Sequence, residues 1–283
     1  MTSTWRRVGA GLLTLTALAV GTAHPGAAQA EPNENGWHDP TRVWPDPVSG
    51  GSFTGFDEVF YQHARIDGRS LLPGPSIDRP LRIWVGGDSL SGGPAFGFEE
   101  LLEGDVRYEV TEEVRLSTGV VTEWYFDWVA HLEAVVAEGG YDVVVLSMGG
   151  NDAQRFRGHR DPVGSPEWQE RYRERVMRMM AALDRPGRLV VWVGMPPVSV
   201  PTLDELPAVV NPLAAAAAGH HARVHYLDAA AVVSPDGSFT RFLPDPDGPG
   251  QLKVREGDGV HYTRVGGELL AREILTVIGA SSG

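Results

Sequence analysis

From Leu81 onward, short apolar runs alternate with longer segments of helical spacing, and this alternation restricts the fold more than any other feature of the chain. The runs are rich in Val, Ile and Leu and nearly continuous, which is typical of parallel strands buried on both faces. The sequence therefore predicts an α/β fold, arranged as a three-layer α/β/α sandwich. The apolar runs are LRIWVGG, VRYEVTEEVRLS, YDVVVLSMGG, RLVVWVGMPP and VHYLDAAAVV, and the helical segments span residues 94–103, 124–138, 166–184, 203–218 and 264–278.

Residues that could take part in a chemical reaction follow the ends of these predicted strands. Ser89 comes after the first strand, Gly119 after the second and Asn151 after the third, while Asp258 and His261 lie beyond the fifth. In an open parallel sheet, ligands bind at the carboxyl ends of the strands. We therefore expect these five residues to meet at one edge of the sheet.

The glycine-rich turn GGDSLSGG around Ser89 does not match the common nucleotide-binding motifs. A P-loop requires G-x-x-x-x-G-K-[ST], and no lysine follows here; the dinucleotide pattern G-x-G-x-x-G is also missing. The G-x-S-x-G elbow of α/β-hydrolases is absent because position 91 is serine, and in that fold the acid lies far from the histidine in sequence. These mismatches leave nucleophilic acyl transfer as the chemistry that fits.

Acyl transfer by a serine needs a base, an orienting acid and donors for an oxyanion. A serine hydroxyl becomes nucleophilic when an imidazole takes its proton, and Asp258 can reach the Nδ1 atom of His261 three residues later. The backbone N–H groups of Ser89 and Gly119, with the side-chain amide of Asn151, could stabilise the tetrahedral intermediate. Glycine at 119 allows close approach of the backbone.

These blocks, in this order, resemble the SGNH/GDSL hydrolase family. They read GDSL at 87–90, a glycine at 119, GGND at 149–152 and DGVH at 258–261. The resemblance implies a flavodoxin-like five-stranded parallel sheet within a hydrolase domain at residues 81–280, and ester hydrolysis without a metal or other cofactor. It implies a catalytic triad of Ser89, Asp258 and His261, and an oxyanion hole formed by Ser89, Gly119 and Asn151.

The first 30 residues have the features of a secretory signal peptide. Arg6 and Arg7 precede an apolar stretch, and AAQA offers a cleavage site ending at Ala30. A transmembrane anchor is the competing interpretation, but the apolar stretch is shorter than the roughly 20 residues that span a bilayer. We therefore expect Sec or Tat export and a secreted or cell-envelope location. Residues 31–80 are predicted to form an irregular arm with one short helix at FDEVFYQHA.

Charge and cysteine content exclude several classes of partner. Removal of residues 1–30 leaves 22 basic against 37 acidic residues, a net charge of −15. That balance argues against nucleic acid binding and against docking on anionic lipid, and no stable membrane insertion is expected after signal cleavage. With no cysteine, the chain has no disulfide framework and no cysteine-linked lipid.

Other candidate motifs have structural interpretations. Asp88 and Asp152 are predicted to be turn residues. The HHARVH cluster at 220–225 lacks the Glu of H-E-x-x-H, so no metal site is predicted there. DPDGPG at 245–250 is predicted to be a loop, and helical spacing of Trp124 and Trp128 favours core packing for most of EWYFDW.

The sequence thus predicts an exported serine esterase for short, acetyl-type esters on carbohydrate or cell-envelope substrates. One alternative is an acyltransferase that uses the same triad to acylate sugar hydroxyls. Another is a noncatalytic carbohydrate-binding module that retains the fold, although such a module has no use for all five site residues. The sequence does not determine the oligomeric state.

Overall fold

A computed structural model describes residues 71–279 and, as backbone alone, the two-residue strand Arg6–Arg7. Apart from that strand, the predicted signal peptide lies outside the described residues, as do most of the predicted arm at 31–80 and its short helix. The backbone of Arg6–Arg7 pairs in parallel with a strand at the edge of the main sheet.

The centre of the fold is a parallel sheet of five strands that starts at Leu81. Numbered along the chain, their order across the sheet is β2-β1-β3-β4-β5, which is the flavodoxin-like order and confirms the predicted fold class. Strands β3, β4 and β5 are buried at every position, as expected for strands covered on both faces. The strands are β1 (Leu81–Gly87), β2 (Tyr108–Val114), β3 (Val143–Ser147), β4 (Leu189–Val193) and β5 (Val224–Leu227).

Helices cover the sheet in two groups. The first and last long helices pack against each other, and the three other long helices pack side by side as a second group. Side-chain caps start several of them: Asp127, Ser165 and Thr263 each accept a hydrogen bond from a first-turn backbone N–H. The helices are α1 (Gly92–Leu102), α2 (Trp128–Gly139), α3 (Pro166–Leu183), α4 (Leu206–Ala218), α5 (Ala229–Val233) and α6 (Arg264–Ile278).

Three local predictions differ from the structure. The run VHYLDAAAVV is a strand only to Leu227, because Asp228 accepts a hydrogen bond from Ala230 N and starts α5. Helix α2 begins at Trp128, which is buried, so Trp124 lies outside it and is 56% exposed rather than packed in the core. The DPDGPG loop proves to be the turn of an unpredicted antiparallel hairpin formed by β6 (Phe242–Pro244) and β7 (Gln251–Lys253).

Within residues 71–279 no helix combines the length and apolarity needed to cross a bilayer.

Candidate active site

The turn after β1 presents Ser89 at the corner between strand and helix. Gly87 has φ +138°, and a Cβ there would lie 2.1 Å from the carbonyl oxygen of Ser147 on the neighbouring strand, so only glycine fits. Asp88 accepts a hydrogen bond from Leu90 N at 2.8 Å and starts a 3₁₀ turn, Ser89–Ser91, that leads into α1. The Ser89 side chain is half-buried at the carboxyl end of the sheet.

The segment before α6 brings an imidazole to that hydroxyl. The Nε2 atom of His261 lies 2.8 Å from Ser89 Oγ, and its Nδ1 atom lies 2.6 Å from Asp258 Oδ2. Asp258 Oδ1 also accepts hydrogen bonds from the backbone N–H groups of Val260 and His261. Burial opposes ionisation of Asp258, but the hydrogen bonds from the His261 ring and from these two N–H groups outweigh it and lower the pKa of Asp258 to about 2.

A buried arginine holds the Asp258–His261 segment in place. Arg255 is fully buried and donates to the carbonyl oxygens of Pro197 at 2.8 Å and Val260 at 2.6 Å. Its guanidinium also lies over the ring of Tyr262, the residue after His261. Burial lowers the pKa of Arg255 below its ordinary value. No local sequence signal identifies this arginine, because both of its partners are backbone carbonyl groups and one of them, that of Pro197, is distant in the chain.

The predicted oxyanion residues lie on two segments that are tied together. Asn151 donates through Nδ2 to the carbonyl oxygen of Thr118 at 2.8 Å, so its amide is held beside Gly119. An amide nitrogen has two hydrogens, and the second remains for another acceptor. Within residues 71–279, the backbone N–H groups of Ser89 and Gly119 donate no hydrogen bond. This arrangement leaves three donors for a developing negative charge.

Asp88 and Asp152, predicted as turn residues, do more than close their turns. Asp88 Oδ2 accepts from the backbone N–H groups of Gly149 and Gly150, at 2.9 and 3.0 Å, and so joins the turn after β1 to the turn after β3. Asp152 accepts from Val121 N at 2.9 Å and Val120 N at 3.2 Å. The two carboxylates thereby fix the relative positions of the three loops that hold Ser89, Gly119 and Asn151.

Both carboxylates are fully buried, and burial dominates their ionisation. It raises the pKa of Asp88 to about 6, although N–H donors from Leu90, Gly149 and Gly150 oppose the shift. It raises the pKa of Asp152 to about 7, and the nearby charge of Asp88 adds to the increase. The hydroxyl of Tyr172 on α3 donates to Asp152 at 3.1 Å. The sequence did not predict a role for this tyrosine, because it lies on a helix that contains none of the motifs.

The histidine cluster at 220–225 lies away from this arrangement. His221 Nδ1 is 3.3 Å from Asp184 Oδ2, and His225 is buried in β5. In the described part of the chain, no group of His, Cys, Asp or Glu side chains is positioned to hold a metal ion.

The site lies where a flavodoxin-like sheet has its crevice. Strand order reverses between β1 and β3, and Ser89 and Asn151 follow these two strands. The structure places Ser89, Gly119, Asn151, Asp258 and His261 at this edge of the sheet. Ser89, His261 and Asp258 are in direct contact, and Asn151 is tied to Thr118, the residue before Gly119.

Comparisons with known proteins agree with the fold. No functionally curated protein matches the chain. A candidate acylhydrolase from Bacteroides fragilis aligns at 15% identity and a TM-score of 0.51, covering 82% of this chain and 100% of that one. A carbohydrate acetylesterase family member from Sinorhizobium meliloti aligns at 15% identity and a TM-score of 0.48, covering 70% and 99%. A catalytic mutant of an acetylxylan esterase from Geobacillus stearothermophilus aligns at 13% identity and a TM-score of 0.47, covering 72% of this chain and 96% of that one.

At these identities the likeness shows the fold alone, an α/β fold with a parallel sheet covered by helices. A family model matches residues 82–277, which include every residue of the site. The chain therefore belongs to the DUF459 family, whose members are described as proteins of unknown function.

Proposed function

We propose that this chain is a serine esterase that hydrolyses short, acetyl-type esters of carbohydrate or cell-envelope substrates after export from the cytoplasm. The observation that carries the proposal is the continuous contact from Ser89 Oγ to His261 Nε2 at 2.8 Å, and from His261 Nδ1 to Asp258 at 2.6 Å. Both distances lie within hydrogen-bond range, which is the geometric requirement for an activated serine nucleophile.

In the proposed reaction, Ser89 Oγ bonds to the ester carbonyl carbon while His261 Nε2 takes the hydroxyl proton. The oxyanion accepts hydrogen bonds from the backbone N–H groups of Ser89 and Gly119 and from the Asn151 amide. His261 then passes the proton to the alcohol as its bond to the acyl carbon breaks. Water repeats the sequence on the acyl-enzyme, releasing the acid and restoring the serine. Asp258 holds the imidazole tautomer in which Nδ1 carries the proton.

A labelling experiment tests the nucleophile. A fluorophosphonate should attach to Ser89 in the wild-type chain, located by mass spectrometry, and hydrolysis of nitrophenyl acetate should stop once it has reacted. Ser89→Ala should abolish both. Ser91→Ala is the matched control, because Ser91 lies two residues away but is buried and donates to Asp88 O at 2.7 Å, so it should keep labelling. Equal labelling of the Ser89→Ala protein would contradict the proposal.

The same assay separates the alternatives. A chain that binds acetylated sugars but neither reacts with the phosphonate nor releases acetate would be a binding module. An acyltransferase would label at Ser89 but move acetyl to an added sugar faster than it releases acetate to water. Mass spectrometry of the sugar, with acetate measured in parallel, gives the ratio of transfer to hydrolysis.

A further inference from the structure

Beside the oxyanion residues lies an open cavity of about 720 Å³, which falls within the usual range for ligand sites. Trp124 forms one part of its lining and residues 154–160 form the rest; we call this the basic groove. Both parts start from site segments: Trp124 lies five residues after Gly119, and Arg155 lies four residues after Asn151. Gln154, which also lines the groove, donates directly to the carbonyl oxygen of Asn151, so the groove adjoins the site.

The segment that carries the basic groove is firmly held at its base. Gln154 donates through Nε2 to the carbonyl oxygen of Asn151 at 2.6 Å, and its own carbonyl accepts from Trp168 Nε1 at 2.9 Å. Phe156 is buried, with its ring 5.7 Å from that of Trp168. These contacts fix the backbone around Phe156 relative to Asn151.

Three arginines of the basic groove lack the partners that most arginines described by the structure have. Elsewhere in residues 71–279, most arginines contact a carboxylate or a backbone carbonyl. Arg155, Arg157 and Arg160 make no ion pair within that range, and the buried Nε atom of Arg155 has no hydrogen-bond partner there. The adjacent carboxylate, Asp161, contacts Arg171 at 3.1 Å instead. In a chain of net charge −13, unpaired positive charge is thus concentrated beside the site.

Trp124 adds an aromatic surface to this charge. Its side chain is 56% exposed, and the guanidinium carbon of Arg157 lies 5.1 Å from its ring centroid. This contact holds Arg157 against the tryptophan, since a guanidinium is attracted to an aromatic face. Aromatic rings bind the apolar faces of sugars, and arginines bind carboxylates and phosphates in a bidentate manner. A neutral sugar would instead need amide and carboxylate side chains, of which the basic groove contains only Gln154.

We propose that the basic groove binds an anionic carbohydrate, whose carboxylate or phosphate groups contact Arg155, Arg157 and Arg160 while a sugar ring packs on Trp124. This inference rests on the proposed function in one respect: the ester cleaved at Ser89 would be carried by the same carbohydrate. It makes the substrate of the site an acylated acidic glycan rather than a neutral one.

Binding is tested with the Ser89→Ala protein, in which no turnover can occur. The probes are a galacturonate trisaccharide, its neutral counterpart made by carboxyl reduction, and a phosphorylated sugar of the same length, each titrated by calorimetry and by tryptophan fluorescence. The galacturonate should bind at least about tenfold more tightly than the neutral sugar, and its affinity should fall with added salt. Tighter binding of the phosphorylated sugar would support the inference with phosphate as the recognised group. Equal affinity for the neutral sugar and both anionic probes would overturn it.

Single arginine variants locate the binding. Arg155→Gln, Arg157→Gln and Arg160→Gln should each weaken anionic binding by about two- to fivefold, the usual effect of a partly exposed ion pair. The matched control is Arg272→Gln, an exposed arginine on α6 that pairs with Glu268 and should leave binding unchanged. Unchanged affinity in the triple arginine variant would exclude the basic groove as the binding site.

Nitrophenyl acetate hydrolysis separates this inference from the proposed function. This small ester does not extend along the groove, so its hydrolysis by the wild-type chain, and by the Arg272→Gln control, reports on the proposed esterase site alone. Ester hydrolysis without any preference for the galacturonate would refute the inference alone. Binding of the galacturonate by a chain that hydrolyses no ester would refute the proposed function and leave the binding site established.

Discussion

Replacing Gly119 with alanine would place a Cβ atom 2.2 Å from the Oδ1 atom of Asp152. Ordinary contact begins at 3.4 Å, so one of the two groups must move by 1.2 Å. Asp152 cannot move without cost, because it is fully buried and accepts hydrogen bonds from Val120 N, Val121 N and the hydroxyl of Tyr172. The alternative is a shift of the segment that carries the Gly119 N–H group.

Either movement should lower both the stability and the turnover of the Gly119→Ala protein by a predictable amount. Overpacking of a well-packed site typically costs about 1–3 kcal/mol, so the free energy of unfolding of Gly119→Ala should fall by about that amount. A displacement of about 1 Å in a group that stabilises the transition state can reduce turnover by about 10²-fold. We therefore expect a chain that is folded but has lost about two orders of magnitude in kcat for nitrophenyl acetate, with a smaller change in KM.

Urea unfolding and steady-state kinetics measure the two effects separately. Gly257→Ala is the matched control: it lies beside Asp258, but an added Cβ meets nothing within 4 Å, so stability and kcat should remain near the wild-type values. A Gly119→Ala protein with wild-type stability and turnover would refute the reasoning, because it would show that the Gly119 segment and Asp152 are not in the close contact described.

Three further predictions concern the same site. Asn151→Ala should lower kcat for nitrophenyl acetate by about 10²–10³-fold, because one oxyanion donor is lost. Gln154 only anchors the same turn by donating to Asn151 O, so Gln154→Ala should lower kcat by less than about tenfold. Equal effects of the two substitutions would contradict the oxyanion role of Asn151. The pKa of Asp258 is lowered to about 2, so its contribution to stability is present above the unfolded-state value of about 3.9 and is lost as pH falls through about 2. Carboxyl ¹³C NMR should find that midpoint, and Asp258→Asn should remove the corresponding acid-induced loss of stability; a midpoint near 4 would show that the pairing with His261 does not persist in solution. In a nitrophenyl ester series, acetyl esters should have a higher kcat/KM than esters of eight or more carbons. The loops GGDSLSGGP and GGNDAQRFRGHRDP have no contiguous apolar run that could line a tunnel for a fatty acyl chain. Values of kcat/KM that rise with chain length would indicate a lipase.

Local patterns were sufficient to predict the fold class and to propose which residues form the site. Continuous apolar strands separated by helical segments can only bury their faces in a covered parallel sheet, and in such a sheet the carboxyl ends of the strands share one edge. The blocks at Ser89, Asn151 and His261 could therefore be assigned to one site before any distance was known. Their contacts agree with that assignment, at 2.8 Å between Ser89 Oγ and His261 Nε2.

Tertiary structure decided what holds the site together and what lies beside it. Asp88, Asp152 and Arg255 each contact a backbone group of a segment far away in the chain, and a backbone N–H or carbonyl leaves no trace in the residue types around it. Helix periodicity placed Trp124 in the core, but the cap at Asp127 starts α2 later and leaves Trp124 exposed beside Arg157. The sequence by itself therefore determined which groups could perform the chemistry, while the packing of separate loops determined their positions and formed the basic groove.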